Sequence, residues 1–249
     1  AVRTGTLHRD ERISIVVEDE LLGTGGGING IAQALECDTL VVVNGDALFD
    51  FDLQPVLDAH RSTGSLGTLA LRWVPPDAPF GRVGIDKDGR LWKIAEVLAH
   101  GTHPDELTFG AFTGVQIIER ALIDRIPEGQ CDILRSAYRA VLDENGPVFG
   151  HFVPRDSVWF DVGTPDRYLE AHRMILEGHL SVAHLPRKNR DSCRIHETAV
   201  ISNSAIVRGP CALMSDVQVG ARTIIGPHVF IGKGAIIRPG LHLKNVVVW

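Results

Sequence analysis

From Ile195 onward an aliphatic side chain recurs at every sixth position: Ile195, Ile201, Val207, Leu213, Val219, Ile225, Ile231, Ile237 and Leu243. Four residues after each stands a small or apolar residue, in order Ala199, Ala205, Cys211, Val217, Thr223, Val229, Ala235, Leu241 and Val247. A six-residue period matches neither the 3.6 of a helix nor the 2 of an ordinary strand. It fits a three-sided coil in which each side takes about one hexad and each coil stacks on the next. The hexads predict about three coils of a short left-handed parallel β-helix over residues 193–249, with both series facing a narrow core. Coil ends and lateral strand edges left open by so short a stack predict a homo-oligomer assembled through the β-helix.

Residues 1–182 carry a different pattern, and the polar, proline-containing run Leu185-Pro186-Arg187-Lys188-Asn189-Arg190-Asp191 marks 183–192 as a linker. Ile13 to Val17 and Leu40 to Val43 are near-continuously aliphatic, the pattern of buried parallel strands. Further strands are expected at 67–74, 83–86, 90–95, 109–118 and 147–153. Ala1 to Gly5 reads as the end of a helix. Leu53, Val56, Leu57 and His60 recur at helical spacing behind Asp52 and Pro55. A last helix opens with Thr164 as cap and Pro165 in its first turn, then buries Tyr168, Ala171, Ile175 and Leu176. Strands alternating with helices predict an α/β sheet of Rossmann type with a ligand crevice at its strand ends.

Bulk properties narrow the chemistry. At 249 residues the chain buries a sizeable core, and its net charge of −6 offers no general attraction to nucleic acid or to an anionic membrane surface. Neither is expected as a partner. Cys37, Cys131, Cys193 and Cys211 are far apart and form no Cys-x-x-Cys pair, so disulfide and zinc frameworks find no support. Without an apolar run of membrane-spanning length or a basic, apolar leader, a reducing cytoplasm is the expected location.

Three short segments carry candidate chemistry. Leu22-Gly23-Thr24-Gly25-Gly26-Gly27-Ile28 lies between a strand and a helix, where a backbone without side chains admits either a flat or anionic ligand or only a tight turn. It is not a Gly-x-Gly-x-x-Gly fingerprint, and no Walker lysine follows. Asp46, after Asn44-Gly45, and Asp161, before Val162-Gly163-Thr164-Pro165, each stand where an apolar strand stops. Two carboxylates converging on one crevice suit a Mg²⁺ ion held between phosphates, whereas each alone reads first as a turn cap.

Taken in order, these segments resemble the sugar-1-phosphate nucleotidyltransferases. The resemblance runs from Leu22-Gly23-Thr24-Gly25-Gly26 through Asn44-Gly45-Asp46, Phe80-Gly81-Arg82-Val83 with Asp86 and Gly89, Glu96, and Thr113-Gly114-Val115 to Asp161-Val162-Gly163-Thr164-Pro165. The hexad domain is similar to the tail of the mannose-1-phosphate guanylyltransferase type. The resemblance implies transfer of a nucleotidyl group from a nucleoside triphosphate to a sugar 1-phosphate, most simply from GTP to mannose 1-phosphate, with release of pyrophosphate. It also implies Asp46 and Asp161 as catalytic Mg²⁺ ligands, Gly23, Thr24 and Gly25 along the nucleoside, and Gly81, Glu96, Thr113 and Gly114 around the sugar.

Departures from the family pattern open alternatives. The phosphate-gripping Gly-x-Gly-x-Arg-Leu-x-Pro-Leu-Thr loop with which the family opens is not among these residues, so the sheet reads as N-terminally incomplete and its aliphatic strands as lacking a neighbour. Val97 stands where the family carries a lysine, with Lys93 and Arg82 as nearby cations, and Phe112 where many relatives carry asparagine. A non-catalytic regulatory or sugar-nucleotide-sensing subunit is the alternative these departures favour. An acyltransferase using His196, His228 or His242 between coils is a third reading.

Overall fold

The computed structural model describes residues 2–6, 12–35, 37–75, 82–94, 97–99, 104–180, 182, 185–189 and 191–249. The chain divides into two compact units, Ala1–Ala47 with Phe51–Ser157, and Leu48–Asp50 with Val158–Trp249. The second unit therefore takes in a strand and a helix that the sequence pattern groups with the α/β region.

In the first unit β1 (Val2–Thr6) and β2 (Arg12–Val16) form an antiparallel ribbon, so the opening residues are strand and not the expected end of a helix. After α1 (Gly23–Ala34) and β3 (Thr39–Val43), the chain passes through β4 (Ala47–Phe49) into α2 (Gln54–Thr63). Then follow β5 (Gly67–Arg72), β6 (Arg82–Ile85), β7 (Leu91–Ile94), β8 (Val97–Leu98) and β9 (Thr108–Glu119). Helix α3 (Arg120–Ile123), a π-helical turn (Leu134–Tyr138), α4 (Arg139–Asp143) and β10 (Val148–Phe152) complete it. The main sheet runs β10-β5-β9-β6-β7-β8, with β3 also paired to β9. Among the described residues only β10 and β5 are parallel in this sheet; β3, β5 and β6 all run antiparallel to β9.

Placement beside β9 corrects the reading of the aliphatic runs. β3 has β9 on one side and no strand on the other among the described residues, and Val41 and Val43 stay 49% and 44% exposed. Ile15 and Val17 are likewise exposed. The core instead forms around Leu69, Leu71, Ile118, Leu122, Ile133 and Tyr138. Tyr138 lies so close to Gly67 that a Cβ there would meet its hydroxyl at 2.7 Å, and burial pushes the pKa of that phenol up. One polar network crosses this unit: buried His60 of α2 joins Thr68 Oγ1 through Nδ1 and Glu119 Oε1 through Nε2, each at 2.9 Å. Thr39 Oγ1 donates to the same carboxylate oxygen, so three strands and a helix share one set of partners.

In the second unit β11 (Trp159–Asp161) pairs with β4, whose Leu48 and Phe49 belong to this unit, and leads to α5 (Pro165–Glu177), whose Thr164 Oγ1 accepts from Arg167 N as the expected cap. Strands β12 (Cys193–Ile195), β13 (Val200–Ile201), β14 (Ile206–Val207), β15 (Cys211–Leu213) and β16 (Gln218–Val219) follow. They continue as β17 (Ile224–Ile225), β18 (Val229–Ile231), β19 (Ile236–Ile237), β20 (His242–Leu243) and β21 (Val246–Val248). Three parallel sheets result, β12-β15-β18-β21, β13-β16-β19 and β14-β17-β20, which is the three-sided solenoid the hexads predict. Leu213, Val219, Ile225, Ile231 and Ile237 face its core.

One corner departs from strict periodicity. Arg208-Gly209-Pro210 and Gly226-Pro227-His228 each join a β14-type strand to the next sheet with three residues, whereas Lys244-Asn245 uses two. Val229 consequently stacks on Val246, and Val247 pairs with Phe230. Val246 and Val248 thus pack on the solenoid core, and Val247, expected there, packs with Leu176, Ala212 and Phe230 instead. That outer cluster joins α5 to the solenoid. The four cysteines are free thiols; Cys193 and Cys211 stack in register, and burial followed by the neighbouring thiol raises the pKa of Cys211. Among the described residues no helix is long and apolar enough to cross a membrane.

Candidate active site

Strand β3 ends at Val43 and the chain turns through Asn44, Gly45 and Asp46, with Ala47 N donating to Asn44 O at 3.1 Å. Opposite that turn β9 is irregular. Leu69 of β5 pairs with Gln116 and Leu71 with Phe112, so β9 carries extra residues, Thr113 and Gly114 among them, across a shorter stretch of its partner. Buried Thr113 fastens the bulge, donating from Oγ1 to Ala70 O at 2.9 Å and accepting from Val115 N at 3.3 Å. Gly114 adopts φ +82°, and a Cβ there would lie 3.0 Å from Asn44 Cβ. Both facts call for glycine. Asn44 N donates to Gly114 O at 2.8 Å, which brings the Asn44-Gly45-Asp46 and Thr113-Gly114 segments together at the end of one strand.

The glycine run forms the first turns of helix α1, not a turn ahead of it, and it is built differently from an open phosphate cradle. Cys131 N donates to Leu22 O, Gly25 N donates to Cys131 O, and Ile133 N donates to Thr24 Oγ1 at 3.1 Å. Thr24 Oγ1 reaches Asp132 Oδ2 at 3.5 Å, and Asp132 Oδ1 accepts from Arg135 N at 3.0 Å. A Cβ on Gly25 would meet Cys131 Sγ at 2.5 Å, and one on Gly26 would meet Gly129 O at 2.6 Å. The glycines are thus required by close packing of the 129–133 segment. Gly23 and Thr24 are exposed, while Gly25 is buried with its N–H already bonded. Asp132 and Cys131 are the residues the motif reading misses; an aspartate just before the helical run Leu134–Tyr138 is their only sequence signal.

Asp46 is exposed and belongs to the first unit; Asp161 is half-buried and belongs to the second. One oxygen of Asp161 accepts from Gly163 N at 3.0 Å, forming the turn that leads into the Thr164 cap. Among the described residues no hydrogen bond engages the Asp46 carboxylate, and no three His, Cys, Asp or Glu side chains cluster as a complete metal cage. One or two hard carboxylate oxygens, with the remaining positions left to phosphates and water, are a donor set that fits Mg²⁺.

Other parts of the resemblance take structural roles. Asp86 accepts from Asp88 N, Arg90 N and Trp92 Nε1, which closes the β6–β7 hairpin. Arg82 and Lys93 flank the Phe109 ring, their charged groups 4.3 and 5.9 Å from its centroid. Phe112 packs against the core. Gly81 and Glu96 lie outside the described residues. His196 Nδ1 is engaged by Thr198, His228 Nε2 meets Glu177 Oε1 at 2.9 Å, and His242 stands exposed on β20.

The sheet, the bulge at its strand end and the ordered motifs define a nucleotidyltransferase-type domain, and the Nucleotidyl transferase family model matches residues 5–178. The chain belongs to that family. A mannose-1-phosphate guanylyltransferase of Mycobacterium tuberculosis is 31% identical over 240 residues, 96% of this chain and 60% of that protein. A UTP–glucose-1-phosphate uridylyltransferase of Synechocystis is 29% identical, covering 92% of this chain and 59% of its own length. The bifunctional protein GlmU of Oleidesulfovibrio alaskensis is 26% identical, with 98% and 56% covered. The chain spans about three fifths of the length of the curated relatives it matches.

Proposed function

We propose that the protein transfers a nucleotidyl group from a nucleoside triphosphate to a sugar 1-phosphate, with GTP and mannose 1-phosphate as the substrates. The observation that carries this reading is the Asn44 N to Gly114 O bond, which joins two segments of the family signature at one strand end. The guanylyltransferase among the relatives supports the choice of substrates.

In the reaction a sugar-phosphate oxygen attacks the α-phosphorus, a new P–O bond forms there, and the bond from that phosphorus to the bridging oxygen breaks to release pyrophosphate. Catalysis of such a displacement is largely positioning and charge neutralisation. Gly23, exposed at the start of α1, offers a surface without side chains to the nucleoside, and the Thr24 hydroxyl, bonded to Ile133 N and Asp132, steadies the 129–133 segment beside it. The Thr113 hydroxyl is bonded inside the sheet, so its part is to hold the bulge that places Gly114. Asp46 and Asp161 are the residues that would hold Mg²⁺. When bound, the ion neutralises charge on the triphosphate and steadies the departing pyrophosphate.

Pyrophosphate release from a matrix of nucleoside triphosphates and sugar 1-phosphates in Mg²⁺ tests the proposal. The highest kcat/KM is expected for GTP with mannose 1-phosphate. A higher value for another pair replaces these substrates, and no release from any pair overturns the transferase reading in favour of a sensing subunit.

A further inference from the structure

Helix α5 lies on the solenoid face formed by β12, β15, β18 and β21, where Leu176 packs with Ala212 and Phe230 and the His172 ring stands edge-on to Phe230 at 5.2 Å. The chain reaches that face through corners of three residues in the earlier coils and through only two, Lys244-Asn245, in the last. Beside this shortened corner a cavity of about 560 Å³ opens between helix and coils. Glu170, His172 and Arg173 border it from α5, and His228, Lys244 and Asn245 from the coils, over apolar surface that includes Val247.

The charges on this wall are unevenly satisfied. His228 Nε2 is held by Glu177, and His172 Nδ1 by the carbonyl of Tyr168 at 3.0 Å. Among the described residues neither Arg173 nor Lys244 has an ion-pair partner. Two unpaired cations in one concave site, on a chain whose net charge is −6, form a local attractor for an anion that the molecule as a whole repels. Glu170 disfavours a bare anion but accepts hydrogen bonds from hydroxyl groups, and the Asn245 amide both donates and accepts. The volume is that of a small-molecule site.

We propose that this cavity binds a phosphorylated sugar or polyol, with Arg173 and Lys244 on the phosphate and Glu170 and Asn245 on the hydroxyls. The site is independent of the nucleotidyl-transfer reading, since none of these residues belongs to the proposed catalytic set.

Calorimetric titration with glucose 6-phosphate tests it, because a phosphate away from C1 cannot serve as the nucleotidyl acceptor. Binding is expected to the wild-type protein and to Asp46→Asn alike. Arg173→Gln and Lys244→Gln should each weaken it at least about tenfold, the scale of one charge-assisted contact. Inorganic phosphate should bind more weakly than glucose 6-phosphate, and glucose should not bind. Absence of binding to the wild type, affinity unchanged in both glutamine variants, or loss in Asp46→Asn overturns the proposal.

Discussion

In the solenoid, Leu213 stacks on Ile195 on one side and Ile231 on the other, so each inner strand finds its partners one coil away in both directions. In the first unit β9 is bracketed by β3 and β6 on one edge and by β5 on the other, strands drawn from separate stretches of the chain. The difference is one of dimensionality. Contacts in the solenoid are nearest-neighbour and repeat, whereas one irregularity in β9 sets the geometry of several distant segments at once. A defect should therefore stay local in one unit and spread in the other, and the single irregularity in β9 is where candidate chemistry gathers.

The largest expected effects break this contrast most directly. Leu69→Ala and Ile225→Ala each remove a fully buried side chain and should cost about 2–5 kcal/mol. Hydrogen exchange should show lost protection throughout the main sheet for Leu69→Ala, but only in the coils flanking β17 for Ile225→Ala. Equal spread in both variants would erase the distinction.

Gly114→Ala comes next, at about 1–3 kcal/mol, because a left-handed backbone and a Cβ at 3.0 Å from Asn44 oppose it together. Chemical denaturation should register the loss, and under the proposed function kcat/KM should fall more than that of Gly45→Ala, where a Cβ meets nothing within 4 Å. Thr164→Ala is smaller, about 1 kcal/mol for a lost helix cap, and should shift the thermal midpoint while leaving the first unit's exchange pattern unchanged.

The same difference governs what the sequence made legible. Hexad spacing is a local signal, and it locates the solenoid up to the last coil, where Leu241 stays 43% exposed and the shortened Lys244-Asn245 corner turns Val247 outward. Apolar runs located most strands of the first unit but not their neighbours, so β3 was expected to be buried and parallel and is an exposed antiparallel edge. Glycines 25 and 26 were conspicuous, yet their cause lies at Gly129 and Cys131, far along the chain. Asp46 and Asp161 were singled out by position after a strand, while the contact between Asn44 and Gly114 depends on a bulge that no periodicity encodes.

The proposed role of these strand-end residues in nucleotidyl transfer is tested by pyrophosphate release with GTP and mannose 1-phosphate by Asp46→Asn and Asp161→Asn, alongside circular dichroism of each variant. An unchanged spectrum and a fall in turnover of about a thousandfold in each are expected, about 4 kcal/mol of transition-state stabilisation. Wild-type turnover in both variants would contradict that role.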